Sequence, residues 1–288
     1  MINIVAHLFL KVYNVCMENK NVQINHNLNL GQHFLTNEQT AINLVNFAQI
    51  DKNDTILEIG AGEGIVSKHI AKKCKELYIV EIDTSLKSIL DINLKGIKNI
   101  HITYANALDI SFKNYDKIVT SLPYNILEPF LQKCVREKVQ SVTMLIGAKF
   151  ANAIKNYNEK PLQEVSFTKL FAVCHYNCEV LCHVPKEHFS PPPRVHNYIV
   201  RLSKQDPLAL SYPLYIFREL FSQGDKKIKN ALIEALIRYN KNTQQTAYTQ
   251  NMARQQIMSL EIEQSILEKS IYNLSNKELN ILYKKICS

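Results

Sequence analysis

Residues Glu58-Ile59-Gly60-Ala61-Gly62-Glu63-Gly64 join a predicted buried strand, Asp54–Ile59, to a predicted helix that begins near Ile65. Alternate glycines permit a tight turn and let a ligand approach the backbone without meeting Cβ atoms. Ordinary strand-to-helix turns also use glycine, so the turn alone is weak evidence. Its position between a strand and a helix predicts a site for a nucleotide-type cofactor.

An acidic residue, Glu81, lies at the end of the next predicted strand, 21 residues after Gly60. Such a carboxylate accepts hydrogen bonds from ribose hydroxyls. The dinucleotide fingerprint requires glycine where this chain has Ile65, so the spacing favours S-adenosylmethionine over NAD. Asn106, which follows the third strand, is placed to recognise the edge of an adenine ring, although an isolated Asn there is commonly a turn residue.

Strands and helices alternate along the chain after the glycine turn. The predicted strands are Leu77–Ile82, Ile100–Tyr104, Lys117–Ser121, Ser141–Ile146, Val173–His183 and His196–Leu202. The predicted helices are Asn37–Ala48, Ile65–Cys74, Leu86–Leu94, Pro129–Lys138, Ala148–Tyr157, Val165–Phe171, Tyr215–Gln223, Lys226–Arg238, Asn251–Leu260 and Asn276–Cys287. This order predicts an α/β fold of the Rossmann-like class, with a mostly parallel seven-stranded sheet and helices on both faces.

The pattern becomes purely helical after Gln205, which predicts a boundary there. We expect an N-terminal extension over residues 1–27, a cofactor-binding domain over 28–205 and a small all-α domain over 206–288.

A second motif, Ser121-Leu122-Pro123-Tyr124, follows the fourth strand, at the sheet edge where α/β proteins bind ligands. Adenine N6 is a poor nucleophile because its lone pair is delocalised into the ring. The Ser121 side chain and the Leu122 carbonyl can accept its amino hydrogens, while Pro123 stiffens the loop and Tyr124 stacks on the base. Phe189, in the loop before Pro191-Pro192-Pro193, is either a second stacking face or an anchor packed on the core.

Composition limits the class of protein and its partners. The net charge of +8 favours a polyanionic partner, although a solvated lysine surface explains it equally well. The odd number of cysteines, seven, predicts a reducing compartment. Cys174, Cys178 and Cys182 fall in a predicted strand and would lie too far apart to bind one metal ion. We therefore expect no metal site, no membrane segment, no signal peptide and a cytoplasmic location.

Together these motifs resemble the rRNA adenine N6-dimethyltransferases over about residues 30–235. The segments that carry the resemblance are Gly31-Gln32-His33-Phe34-Leu35, the glycine turn, Val80-Glu81-Ile82-Asp83, Asn106-Ala107-Leu108, Ser121-Leu122-Pro123-Tyr124-Asn125 and Phe189-Ser190-Pro191-Pro192-Pro193-Arg194-Val195. The resemblance implies that two methyl groups are added to each of two adjacent adenines near the 3′ end of small-subunit rRNA, during ribosome assembly.

The resemblance also implies roles for individual residues. The implied cofactor pocket consists of Gln32, His33, Leu35, Glu58, Gly60, Ala61, Gly62, Gly64, Glu81, Ile82, Asn106, Ala107 and Ser121. The implied RNA-binding residues are Arg194 and, in the basic segment Phe221–Asn230, Lys226, Lys227 and Lys229. The implied partner is small-subunit rRNA or the pre-ribosomal small subunit, and we expect a monomeric enzyme.

Three positions depart from the family pattern. Position 121 is Ser where the family usually has Asn, position 106 is Asn where Asp is usual, and the basic segment has Gly224-Asp225 where Arg or Lys is usual. Ser and Asn can each still accept a hydrogen bond. We therefore expect these departures to affect the rate of methylation and the second methylation more than the fold.

Two other functions stay open at this point. The first is a large-subunit rRNA adenine methylase of the macrolide-resistance type, which has the same fold and chemistry. The second is a non-catalytic ribosome-assembly or transcription factor that retains the fold, an interpretation motivated by Ser121.

Overall fold

A computed structural model describes residues 32–122, 126–155, 157, 165–243 and 247–288. The strands in these ranges are β1 (Phe34–Leu35), β2 (Thr55–Ile59), β3 (Glu76–Glu81), β4 (Ile100–Tyr104), β5 (Lys117–Ser121), β6 (Ser141–Gly147), β7 (Tyr176–Val184), β8 (Phe189–Ser190) and β9 (Asn197–Lys204). The two short strands β1 and β8 pair antiparallel with each other. The other seven form one sheet.

The seven-stranded sheet has the order β4-β3-β2-β5-β6-β9-β7. Strands β4, β3, β2, β5 and β6 are parallel, and β9 is antiparallel to both β6 and β7. The mostly parallel seven-stranded sheet is thus confirmed. The chain runs from β2 outward through β3 and β4, then returns to β5 on the other side of β2. This reversal of strand order creates a crevice at the carboxyl ends of β2 and β5, where α/β proteins bind ligands.

Helices cover both faces of the sheet and continue to the C-terminus. They are α1 (Glu38–Phe47), α2 (Ile65–Ala71), α3 (Lys87–Asn93), α4 (Leu127–Arg136), α5 (Ala148–Ile154), α6 (Phe167–His175), α7 (Tyr212–Ser222), α8 (Ile228–Thr243), α9 (Gln250–Ser259), α10 (Gln264–Leu267) and α11 (Asn276–Cys287). One apolar core packs α1, α2 and α3 on one face of the sheet. A second core packs α4, α5 and α6 on the other face and includes residues of α7 to α11.

The predicted strand Val173–His183 begins too early. Helix α6 continues through His175, whose Nδ1–H donates to the Phe171 carbonyl at 2.8 Å, and β7 begins only at Tyr176. Residues 170–174 are all buried, so their apolar run has neither helical nor strand periodicity. The pattern therefore could not locate the junction.

The helical position of Cys174 also corrects the argument about the cysteines. Cys174 lies on α6, whereas Cys178 and Cys182 lie on β7, so the three thiols do not share one strand. Cys174 and Cys178 are buried, and burial raises the pKa of both thiols. In the described part of the chain, no group of three or more His, Cys, Asp or Glu side chains is arranged to hold a metal ion.

Contacts divide the chain into a unit from Met1 to Gln32 and a unit from His33 to Ser288. The predicted extension over residues 1–27 lies outside the described residues. The predicted boundary at Gln205 falls between β9 and α7 and stays a prediction. No described helix is both long and apolar enough to span a membrane.

Candidate cofactor and substrate site

The glycine turn lies at the crevice between β2 and β5, and its geometry disfavours a side chain at each of its three glycine positions. Gly60, Gly62 and Gly64 have φ values of +74°, +56° and +85°, a region that L residues with side chains rarely adopt. A Cβ atom on Gly60 would lie 3.4 Å from the Ser121 carbonyl oxygen, and one on Gly62 would lie 3.0 Å from Cδ1 of Phe34. The turn therefore brings bare backbone next to the carboxyl end of β5.

Glu81 ends β3 beside this turn, and its carboxylate holds the turn in place. Oε2 accepts a hydrogen bond from the Gly62 N–H at 3.1 Å, and Oε1 accepts one from the Asp83 N–H at 3.0 Å. Burial raises the pKa of Glu81, and the backbone bonds from Asp83 and Gly62 oppose that shift. Each oxygen keeps a further lone pair, so the carboxylate can also accept from the two hydroxyls of a ribose.

The residues predicted to surround an adenine ring lie at the ends of β3 and β4. Ile82 directly follows Glu81 and is 57% exposed, so its side chain is accessible to a ligand. Asn106 follows β4 and is exposed, whereas Ala107 is buried. The Asn106 Oδ1 accepts from the Leu108 N–H at 3.0 Å, which caps the short helical turn Ala107–Asp109. Only its second lone pair and its amide NH₂ group are left for a ligand.

The segment around β1 contacts the proline-rich loop. Leu35 pairs with Phe189, the Thr36 N–H donates to the His188 carbonyl at 2.8 Å, and the His33 Nδ1–H donates to the Pro191 carbonyl at 2.8 Å. The bond from His33 requires its proton to be on Nδ1. Gln32 is the last residue of the N-terminal unit.

At the carboxyl end of β5 the structure describes only half of the second motif. Ser121 is partly exposed and pairs with Leu145 of β6, while the Leu122 side chain is buried in the core. Pro123 and Tyr124 lie outside the described residues. The Ser121 carbonyl lies beside Gly60, so this strand end and the glycine turn border the same crevice.

Phe189 is a core residue in this structure. Its side chain is 5% exposed and belongs to the same apolar cluster as Phe34, Leu44 and Val184. Stacking on a base would require this ring to be uncovered, so the catalytic role stays a prediction, and the geometry favours the anchor.

Glu58, on β2, is buried on the face that α2 covers. It is 2% exposed, and the Ser67 hydroxyl lies near its carboxyl group. Burial raises the pKa of Glu58 to about 8, an effect that the Ser67 hydroxyl opposes and the charge of Glu81 reinforces. Glu58 is therefore protonated at neutral pH and brings no negative charge to the site.

The lysines of the basic segment are all partnered. Lys226 pairs with Glu234 at 2.5 Å, and Lys227 and Lys229 pair with the two oxygens of Glu268 at 2.7 and 2.5 Å. A Cβ atom on Gly224 would collide with the Tyr272 ring at 1.8 Å, which explains why glycine occupies this position. Arg194, by contrast, is exposed and forms no ion pair within the described ranges.

Residue patterns did not reveal two contributions to the site. Phe34 packs beneath Gly62, and His188 joins the loop to α1 through its Nδ1 and the Thr40 Oγ1, which are 2.8 Å apart. Phe34 lies inside a segment that carried the family resemblance and His188 directly precedes one, but only the fold shows what they contact.

Comparisons with known proteins agree with this geometry. The family model described as ribosomal RNA adenine dimethylase matches residues 23–274. A protein of Methanococcus maripaludis strain S2 named probable ribosomal RNA small subunit methyltransferase A is 33% identical over 214 residues, which cover 72% of this chain and 79% of the relative. A protein of the same name from Methanococcus aeolicus is 30% identical over 271 residues, which cover 89% of this chain and 94% of the relative.

Two solved structures share the fold. The 23S rRNA methyltransferase ErmE has a TM-score of 0.57 at 19% identity and covers 88% of this chain and 100% of its own. A dimethyladenosine transferase from Plasmodium falciparum has a TM-score of 0.57 at 19% identity and covers 88% of this chain and 97% of its own. The family match spans most of the sequence and includes the crevice formed by Gly60, Glu81 and Ser121. The chain therefore belongs to the ribosomal RNA adenine dimethylase family, and it is a methyltransferase that uses S-adenosylmethionine.

Proposed function

We propose that this enzyme adds two methyl groups to N6 of each of two adjacent adenines near the 3′ end of small-subunit rRNA, while the subunit is being assembled. The curated relatives that match it are named for action on the small subunit, and one of them matches over 89% of this chain. The observation that carries the proposal is the contact between the glycine turn and the end of β5. It brings the predicted cofactor site, at Gly60, next to the predicted base site, at Ser121.

S-adenosylmethionine supplies the methyl group when it is bound. Glu81 would accept hydrogen bonds from its ribose, Ile82 would cover one face of its adenine, and Asn106 would recognise the edge of that ring. His33 and Leu35, which are fixed against the loop at Phe189 and Pro191, would close the pocket on the side of β1.

At the base site, the Ser121 hydroxyl and the Leu122 carbonyl would accept the two hydrogens of the adenine N6 amine. The nitrogen lone pair then turns out of conjugation and towards the methyl group. Tyr124 would stack on the target base, a contact worth about 1–3 kcal/mol. Alignment of nitrogen and methyl group supplies most of the remaining rate enhancement, up to about 7–11 kcal/mol.

A base stacked inside a helix cannot enter such a pocket, so the target adenines must be unpaired or displaced from the stack. Arg194 is free to bind a phosphate of that RNA, whereas Lys226, Lys227 and Lys229 would first have to leave their carboxylates. Cytoplasmic action and a monomeric enzyme, both predicted from the sequence, are part of the same proposal.

The proposal is tested by transfer of tritium from labelled S-adenosylmethionine to purified ribosomal subunits. We expect incorporation into immature small subunits and none into large subunits. Labelling of the large subunit alone would instead identify a methylase of the macrolide-resistance type. Binding of both cofactor and small subunits without incorporation would identify a non-catalytic assembly factor.

A further inference from the structure

Three rings form a contiguous surface cluster near the edge of the sheet, which we call the aromatic patch: His183, His196 and Tyr198. The ring centroids of His183 and His196 are 4.9 Å apart, and those of His183 and Tyr198 are 5.2 Å apart. Both histidines are exposed, and Tyr198 is partly exposed. Neither the cofactor site nor the base site uses these rings.

The aromatic patch lies at the same end of the sheet as the base site, the carboxyl end of β5. Ser121 pairs with Leu145, which pairs with Ile199 of β9. One residue further along, Tyr198 pairs with His183 of β7. Adjacent strands are about 4.8 Å apart, so Tyr198 is two strands, about 10 Å, from β5, and His183 is about 14 Å from it. About three or four stacked nucleotides, at 3.4 Å each, span that distance.

Three basic residues lie on the segments next to the aromatic patch. Lys186 and Arg194 lie in the loop between β7 and β9, and Lys149 follows Ala148, whose N–H donates to the His196 carbonyl at 3.0 Å. In the described part of the chain none of the three forms an ion pair. The exposed Glu187 is the acidic residue of this loop and offsets one of these charges. The surface is therefore net positive and aromatic, the combination that binds single-stranded nucleic acid.

A backbone contact fixes the orientation of one ring. The Lys186 N–H donates to the His196 Nδ1 at 3.3 Å, so in the neutral ring the proton is on Nε2. His196 can thus present an N–H donor to a phosphate or a base edge while its Nδ1 remains bonded to the loop.

We propose that the aromatic patch stacks on unpaired nucleotides that flank the target adenines, with Lys186 and Arg194 bound to their phosphates. This inference rests on the proposed function, because it takes the RNA substrate from there. It adds a defined place, outside the base site, where that RNA is held. Stacking accepts any base, so the patch positions the strand and leaves selection of the adenine to the base site.

The test measures binding of a short fluorescein-labelled single-stranded RNA by fluorescence anisotropy over a range of salt concentrations. Replacement of both exposed histidines, His183→Ala with His196→Ala, is expected to raise Kd about tenfold with an unchanged salt dependence, because stacking is lost. Arg194→Ala is expected to reduce the slope of log Kd against log salt concentration by about 0.7, because one phosphate contact is lost. His183→Tyr keeps a ring at the patch and should bind RNA as the wild type does.

The matched control is His101→Ala, at the opposite edge of the sheet. His101 is also an exposed histidine stacked on a tyrosine ring, with its centroid 4.6 Å from that of Tyr78. Its removal should leave RNA affinity unchanged. Cofactor affinity, measured by calorimetry, should be equal in all of these variants and shows that they are folded.

Two results would overturn the inference, and they have different meanings. If the double histidine variant binds RNA as tightly as the wild type, while the wild type methylates small subunits, the patch has no role and the proposed function stands. If the wild type neither binds the RNA nor methylates small subunits, the proposed function fails together with the inference, and if it methylates small subunits without binding the RNA, only the inference fails.

Discussion

The carboxyl end of the sheet and the basic segment at the start of α8 both contain polar residues that the sequence assigns to binding, but their partners differ. At the sheet end, the Glu81 carboxylate bonds to backbone N–H groups and keeps lone pairs available, and Arg194 forms no ion pair within the described residues. In the basic segment, Lys227 and Lys229 share Glu268, whose pKa these two lysines hold at about 2. The number of lysines in the basic segment therefore overstates the positive charge that this segment has available to bind RNA.

The same comparison extends to the carboxylates. Burial keeps Glu58 protonated at neutral pH, whereas Lys227 and Lys229 keep Glu268 ionised through the whole physiological range. The environment of each carboxyl group, rather than its residue type, decides whether it carries a charge.

The largest effect on function is expected at Glu81. The change Glu81→Ala removes the acceptor for the ribose hydroxyls and the hydrogen bond from the Gly62 N–H that holds the glycine turn. Cofactor affinity should fall about 100-fold, or about 2.7 kcal/mol, with little change in turnover at saturating cofactor. Calorimetric titration measures this cofactor affinity. Glu76→Ala, at the partly exposed beginning of the same strand, is the control, and an unchanged affinity in Glu81→Ala would show that the ribose site is elsewhere.

The next effect concerns pH and Glu58. Between the ordinary glutamate pKa and about 8, the unfolded chain ionises this residue while the folded protein keeps it protonated, so unfolding releases a proton. The free energy of unfolding should therefore fall as pH rises, by at most about 1.4 kcal/mol per pH unit, and should stop falling above about pH 8.

Urea unfolding between about pH 5 and about pH 8 measures this dependence. The Glu58→Gln variant should lack it, because its side chain cannot ionise. Equal pH profiles for the two proteins would mean that Glu58 is ionised in the folded state.

A smaller effect is expected at Ser121. The change Ser121→Ala should lower turnover about tenfold, the value of one neutral hydrogen bond, and leave cofactor affinity unchanged. Ser121→Asn, which restores the residue usual in the family, should be at least as active as the wild type.

The control for Ser121 is the preceding residue. Thr120→Val removes a buried hydroxyl that donates to the Ile59 carbonyl at 2.9 Å, so it should lower stability without changing turnover. Full turnover in Ser121→Ala would show that the Ser121 hydroxyl has no part in the mechanism.

The smallest effect is expected at Glu268. The change Glu268→Gln frees Lys227 and Lys229, which should raise RNA affinity a few-fold at low salt. The slope of log Kd against log salt concentration should steepen by about 0.7 for each lysine that then contacts a phosphate. Anisotropy with the labelled RNA measures both quantities. An unchanged slope would show that the basic segment does not contact RNA even when its lysines are free.

The sequence predicted the fold well because its strongest signals are local. Periodic apolar residues located the parallel strands, and Gly60, Gly62 and Gly64 marked the turn, since only glycine tolerates their positive φ values. The junction at His175 could not be predicted, because a segment buried on all sides has no periodicity. Strands β1 and β8 were also not predicted, since two-residue strands have too few positions to show alternation.

The site was predicted less completely because partners depend on residues distant in sequence. Glu81 was recognised from its spacing, yet its bonds to Gly62 and Asp83 appear only in the folded chain. For Phe189 the sequence left a stacking face and a core anchor open, and only the pairing of β8 with β1 shows that its ring is buried in the core. The pairing of Lys227 with Glu268 joins residues that are 41 positions apart, and no local pattern encodes it.

The most direct test of the central claim identifies the product on the RNA. Wild-type enzyme, S-adenosylmethionine and immature small subunits are incubated together, and the 3′ fragment of the rRNA is digested and analysed by mass spectrometry. We expect N6,N6-dimethyladenosine at two adjacent positions, and much less of it when Glu81→Ala replaces the wild type at limiting cofactor. Unmodified adenines after incubation with folded, cofactor-binding enzyme would contradict it.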